Sequence, residues 1–232
     1  MTNRLSVILP TYNGAEFLSE SLNSIINQSS TPYEVIVIDD GSSDDCKSIV
    51  DKFPTFRYFR IENSGVAAAR NLGIEKSSGD WIAFIDQDDI WTTDSLSNRL
   101  QFLEEHQDAD IIIGRQKWFL HNLTLPPSWV KQEQMSNDLD GYLLGCALLR
   151  KSLFTRFGLF DVSFRFSSDF DWFFNLKDNG VTFYSIEQII LYKRIHEKNE
   201  SRHTDLSLKE LSKALFNSVK RKRAKATSIQ FK

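Results

Sequence analysis

Short apolar runs alternate with segments of helical period through the first half of this chain. Leu5 to Leu9 reads as a buried strand, ended by Pro10. Asn13 and Glu16 stand at capping-box spacing, and Leu18, Leu22, Ile25 and Ile26 follow at helical period. Glu34 to Ile38 is a second strand rich in β-branched residues. The polar turn Asp39 to Asp45 opens a short helix, and Phe56 to Ile61 is a third strand. Gly65 to Glu75 reads as helix, Trp81 to Ile85 as a fourth strand, Thr93 to Glu104 as helix and Ala109 to Ile113 as a fifth strand. This alternation predicts an α/β fold around a mostly parallel central sheet flanked by helices.

The second half is less regular. Gln116 to Met135 holds Pro126 and Pro127 and reads as loops with short strands. Gly141 to Leu149 is small and apolar. Ser152 to Phe157 predicts a helix stopped by Gly158. Phe170, Phe173 and Phe174 share one helical face, and Asn179-Gly180 closes that helix. Val181 to Ser185 and Gln188 to Tyr192 read as two strands. Ser207 and Glu210 fit a capping box for a last helix, with Leu208, Leu211, Leu215 and Val219 as its apolar stripe. No Gly/Ser linker or internal repeat divides the 232 residues, so a single domain is expected.

Composition narrows the function classes. The chain is 41% hydrophobic and 25% charged, with a net charge of -3, which argues against general nucleic-acid binding. Eighteen Phe imply an aromatic-rich core or a stacking surface. Cys46 and Cys146 make neither a disulfide framework nor a zinc site. The start, Met1-Thr2-Asn3-Arg4, lacks a signal-peptide apolar region, and no run reaches the roughly 18 apolar residues of a membrane span. A cytoplasmic location is expected.

The sharpest chemical signal is Asp86-Gln87-Asp88-Asp89, directly after the apolar run Trp81 to Ile85. Carboxylates this close repel and are costly to desolvate, unless a divalent cation neutralises them. Mg²⁺ and Mn²⁺ take oxygen ligands and bridge carboxylates to substrate phosphates. The plain alternative is an acidic loop that caps a helix. In parallel sheets, ligands sit beyond the carboxyl ends of the strands. That rule gathers Thr11, Tyr12 and Asn13 with Asp39 and Asp40 and with Asp86 to Asp89. Neither a G-x-G-x-x-G nor a P-loop sequence follows the first strand.

Four ordered segments carry a family resemblance. They are Ser6 to Asn13, Val37 to Asp44, Gly65 to Asn71 and Phe84 to Asp89. They resemble the family 2 glycosyltransferases of GT-A fold, strongly over about residues 5–113 and more weakly through Leu159-Phe160-Asp161 and Asp169-Phe170-Asp171-Trp172. The resemblance implies inverting transfer from a nucleotide-sugar donor, a UDP-sugar by preference, to a saccharide or lipid-linked acceptor, with Mn²⁺ or Mg²⁺. Residues 1–113 would then form the nucleotide-sugar half, 114–204 the acceptor-facing half, and 205–232 a C-terminal helix and basic tail.

The same resemblance assigns roles. Pro10, Thr11 and Tyr12 match the segment around the nucleobase, and Asp40, before Asp39, matches the acidic residue that binds base or ribose. Arg70 and Asp86 match positions at the nucleotide. Asp88 is the leading metal ligand, with Asp86 and His196 as further candidates. Asp169 aligns as catalytic base with Asp171 as fallback, although Ser168 stands where the family usually has Glu. Each has a plainer reading: Asp40 and Asp169 as helix caps, Tyr12 as a core aromatic, Arg70 as a surface ion pair. Arg194 is a candidate phosphate contact. The basic run Lys220 to Lys225 is a candidate for peripheral contact with the inner membrane face. A non-catalytic nucleotide-sugar binder and, less favoured, a nucleotidyltransferase are the competing functions.

Overall fold

The computed structural model describes residues 4–230, with side chains as far as residue 225. The first half is a succession of alternating strand and helix. It runs β1 (Leu5–Thr11), α1 (Ala15–Ile26), β2 (Glu34–Asp39), α2 (Cys46–Val50), β3 (Arg57–Arg60), α3 (Val66–Lys76) and β4 (Trp81–Phe84). These four strands are parallel, in the order β3-β2-β1-β4. Every residue of β1 is buried, which is why it shows an unbroken run rather than alternation. Pro10 does not end β1: the strand pairs on through Thr11 opposite Asp39. The proline lacks an N–H, but the Thr11 carbonyl still accepts the Asp40 N–H at 2.8 Å. Helix α3 lies close on this sheet. A Cβ on Gly73 would come within 2.3 Å of the Ile8 side chain.

The second half continues with β5 (Ile90–Trp91), α4 (Ser95–Glu105), β6 (Ile111–Leu120), α5 (Gln132–Ser136), β7 (Leu139–Asp140), β8 (Ala147–Arg150), α6 (Ser152–Phe157), α7 (Ser168–Asp178), β9 (Phe183–Ile195) and α8 (Thr204–Gln230). All nine strands join one sheet, β3-β2-β1-β4-β8-β6-β9-β5, with β7 paired to β6. Most paired residues are parallel, as the pattern predicts. The antiparallel pairs are β4–β8, β8–β6, β6–β7 and β5–β9.

Several sequence readings need correction here. The fifth strand of the pattern is ten residues long rather than five, because it pairs along the whole of β9. The two short strands expected between Val181 and Tyr192 are one strand, β9, with register shifts against β6 near Arg115. Gly141 to Leu149 contains β8, a central strand between β4 and β6. Ala147, Leu148 and Leu149 are fully buried there, so they show no period. The Asn13/Glu16 capping box does not form. Asn13 Oδ1 accepts from Ser43, Glu16 pairs with Lys198, and Asp44 accepts the Ala15 N–H. The inner face of α7 is Trp172, Phe173 and Leu176, with Phe170 and Phe174 only half buried. Helix α8 begins at Thr204. Ala214 and Ser218 are its buried positions, while Leu208, Leu215 and Val219 of the expected stripe are exposed. Glu210 caps another element instead, accepting the N–H groups of Arg165, Phe166 and Ser167 before α7.

Candidate active site

The carboxyl ends of β1, β2 and β4 meet as the strand order requires. Thr11 is buried and Tyr12 is 48% exposed. Gln87, a residue for which the sequence suggested no role, ties this segment to the acidic run. Its Oε1 accepts from Thr11 Oγ1 at 2.6 Å and from the Tyr12 N–H at 2.8 Å, and its Nε2 donates to the Tyr12 carbonyl at 3.1 Å. A side chain at position 14 would displace this amide. A Cβ on Gly14 would lie 2.0 Å from that Oε1. The Ser21 hydroxyl of α1 lies 2.8 Å from the Gln87 carbonyl, bracing the same turn.

The pair after β2 is buried and occupied. Asp40 accepts the N–H groups of Ser64 and Gly65 at 2.7 and 2.8 Å, one on each oxygen, which organises the approach to α3. A carboxylate has about four acceptor sites, so these two bonds leave capacity for a ligand. Asp39 accepts from the Ser42 N–H and the Tyr58 hydroxyl. Pro10 is buried in β1.

Asp86 and Asp88 have different partners. Arg70, on α3 and 7% exposed, donates from Nη2 to Asp86 Oδ1 at 2.9 Å. The Arg70 Nε is buried without a hydrogen-bond partner. Asp169, at the start of α7, is 9% exposed, and its Oδ1 accepts the Phe170 N–H at 2.9 Å. Burial pushes its carboxyl above the ordinary range; the Arg70 charge and the Phe170 N–H oppose this, and the Asp86 charge adds to it. The structure thus brings Arg70, Asp86 and Asp169 into one electrostatic group. Asp171 is placed elsewhere. It accepts from Asn217 Nδ2 at 3.2 Å and pairs with Arg221, both on α8.

Asp88 faces the other way, toward the end of β9. Its Oδ2 accepts from His196 Nε2 at 3.0 Å and from Asn199 Nδ2 at 3.1 Å. Burial works to raise its carboxyl, but the His196 hydrogen bond and the Lys193 charge bring it below the ordinary value. The Lys198 N–H is donated to His196 Nδ1, which places the ring proton on Nε2, against Asp88. His196 therefore stands as a donor to Asp88 rather than with an open lone pair. Asn199 holds this loop, its Oδ1 accepting the His196 N–H at 2.7 Å. Arg194 does not face a phosphate pocket. It is 2% exposed, bound to the Asp88 carbonyl, Glu20 and His121. Asp89 is no helix cap. Its Oδ1 accepts the Arg194 N–H, and burial pushes its carboxyl up to about 8 against the nearby Lys193.

Among the described residues no three His, Cys, Asp or Glu side chains form a closed metal cage. The donor set still suits a hard cation. Mg²⁺ and Mn²⁺ sites commonly use one or two carboxylates, with phosphates and water completing the shell. Asp88 is a carboxylate fixed by two donors on one oxygen, the usual support for a ligating group.

A family model described as glycosyl transferase family 2 matches residues 6–162, more than half of the chain. The chain belongs to that family. An uncharacterized glycosyltransferase of Rickettsia typhi is 28% identical over 98% of this chain and 75% of its own length. A putative teichuronic acid biosynthesis glycosyltransferase of Bacillus subtilis, TuaG, is 34% identical over 47% of this chain and 46% of its own. Among solved structures, S. aureus TarS 1-349 in complex with UDP-GlcNAc aligns with a TM-score of 0.76 at 21% identity. The match covers 94% of this chain and 66% of that one. That likeness establishes a GT-A type fold for this family 2 glycosyltransferase. Gln87 and Asn199 are the site residues the sequence left without a role. Gln87 stands inside a quoted motif and Asn199 outside all of them, and their partners lie 75 and 111 positions away.

Proposed function

We propose that this family 2 glycosyltransferase moves a sugar, with inversion, from a UDP-sugar to an acceptor hydroxyl in the assembly of a surface polysaccharide. The observation that carries the reading is the grouping of Arg70, Asp86 and Asp169 beside Asp88 at the ends of the parallel strands. The UDP-GlcNAc complex of TarS supports the donor class, and the likeness to TuaG supports the polysaccharide.

In a single displacement, the acceptor oxygen bonds to the anomeric carbon as the bond to the diphosphate breaks. Asp169 takes the acceptor proton. Its burial raises its affinity for that proton, and the Arg70 charge opposes the rise. Arg70 meets the charge that develops on the leaving diphosphate, and its unpartnered Nε–H is a donor held in reserve for that oxygen. Tyr12 offers an exposed ring to the nucleobase, in a segment clamped by Gln87. Asp88, with Asp86, would hold Mn²⁺ or Mg²⁺. His196 and Asn199 orient Asp88 through Oδ2 and leave its other oxygen for the cation. Such an ion supplies charge neutralisation at the diphosphate. The acceptor is a saccharide, free or lipid-linked, entering from the α7 side.

The test is release of nucleoside diphosphate from a panel of UDP-, GDP- and dTDP-sugars, with Mn²⁺ or Mg²⁺, read beside donor binding. Metal-dependent hydrolysis of a UDP-sugar, abolished in Asp88→Ala, is the expected result. Donor binding without release, even with saccharide acceptors supplied, would mark a non-catalytic binder. Neither binding nor release would overturn the reading.

A further inference from the structure

Helix α8 uses one face and leaves another bare. Its inner line, Ala214, Ser218 and Arg221, packs on α7, with Arg221 Nε donating to Asp178 at 2.9 Å. The basic run Lys220 to Lys225, read from the sequence as a candidate for membrane contact, is largely committed to the protein here: Lys222 also pairs with Asp178, and Lys225 donates to the Asp178 carbonyl and to Asn179. On an adjacent face, Leu208, Leu215 and Val219 follow at seven- and four-residue steps, which is one line along a helix. They are 61%, 48% and 44% exposed, and Phe216 beside them is 57% exposed.

The flank of this line is cationic. Lys209 and Lys220 are exposed in a narrow sector of the helix next to Phe216, while Lys213 in the same sector is turned to Ser163 Oγ at 3.0 Å and over the Phe164 ring. Lys220 sits over the Phe216 ring at 4.5 Å. Glu210 is turned inward to the N–H groups ahead of α7, so it does not offset these lysines. An apolar line bordered by lysines is the signature of a helix lying in the plane of a bilayer interface. No helix among the described residues is long and apolar enough to cross a membrane.

We infer that the outer face of α8 docks on an anionic lipid surface, with Leu208, Leu215, Phe216 and Val219 in the acyl boundary and Lys209 and Lys220 at the headgroups. The surface is separate from the donor site and does not depend on the sugar transferred. It does place α7, which carries Asp169 and is braced by α8, next to the bilayer.

The experiment is co-sedimentation of the full chain with vesicles of phosphatidylcholine alone and with phosphatidylglycerol added. Two lysines predict binding to the anionic vesicles tighter by roughly thirtyfold, weakening with salt. The double variant Leu215→Glu/Val219→Glu should lose binding, while its far-UV circular dichroism and donor turnover match the parent. Equal binding to both vesicle types, or binding to neither, overturns the inference. A concentration-dependent dimer that this double variant dissociates would do the same, because it would make a second copy the occupant.

Discussion

Asp86 and Asp88 are two positions apart on one turn, yet they live in opposite surroundings. Asp86 is 38% exposed at its side chain and has one charged partner, Arg70, whose Nε is unpaired. Asp88 is 19% exposed and held on one oxygen by both His196 and Asn199. The first arrangement can exchange partners at little cost, because part of it already faces water. The second is fixed, because its members hold one another and are tied to the backbone at Lys198 and Arg194. A donor diphosphate would thus find one adaptable wall and one rigid wall. Asp169 belongs with the adaptable side through the charges of Arg70 and Asp86.

The largest effect should come from breaking that side at the proton acceptor. Asp169→Asn is expected to lower kcat by about 10³, within the range for loss of a general base. The same change should leave stability equal or higher. A carboxyl whose folded pKa is raised favours the fold only while protonated, and that contribution is lost as pH rises through its pKa. A neutral amide removes the cost at neutral pH. Asp171→Asn should do the reverse: near-parental kcat and a lower Tm, since it weakens the α7–α8 joint at Asn217 and Arg221. Turnover and thermal melts on both variants check the pair. An Asp169→Asn enzyme of parental kcat would sink the assignment.

Next comes Arg70→Gln, with an expected drop of about 10² in kcat/KM from lost diphosphate stabilisation. Its pH profile is the sharper reading. Activity needs Asp169 ionised, so it falls as pH drops through that group's pKa, which lies above the ordinary carboxylate range. The Arg70 charge opposes this rise. Removing it should move the acid limb to higher pH. An unmoved limb would mean that the two residues do not share a site.

The same contrast explains what could be read from the chain beforehand. Residues of the adaptable wall announce themselves by type: Asp86 in an acidic run at a strand end, Arg70 in a helix after a glycine, Asp169 before an aromatic helix. The parallel strands β1 to β4 were legible because full burial leaves unbroken apolar runs between turn residues. The rigid wall depends on β9 running as one strand back to the end of β4, and nothing local encodes that pairing. Arg194 is an instance. Its type suggested phosphate, but thirteen residues of β9 carry it into the core against Phe17 and Phe119. Strand β8 was hidden for a related reason. A central strand of four residues with small apolar neighbours has no period to detect. The apolar stripe of α8 was correct as a stripe, and α7 took the adjacent face through its carboxylates instead.

The smallest expected effect probes the rigid wall. His196→Ala should raise the concentration of Mn²⁺ that half-activates the enzyme by about tenfold, the lower end for loss of a group that orients a metal ligand. His196→Gln separates two roles for the ring. In the observed network Nδ1 accepts from Lys198 and Nε2 donates to Asp88, so the imidazole acts as a donor. A glutamine amide reaching the same point can also donate, and it should recover most of the metal affinity that alanine loses. Were His196 Nε2 itself bound to the cation, glutamine would replace an imidazole nitrogen with a weak ligand, and both variants would lose affinity alike. Mn²⁺ titration of the two variants, read by donor hydrolysis and by direct metal binding, distinguishes these outcomes. Asn199→Ala supplies the control on the same oxygen of Asp88. Its loss should equal or exceed that of His196→Ala, because it removes one donor from Asp88 Oδ2 and also the bond that holds the His196 loop.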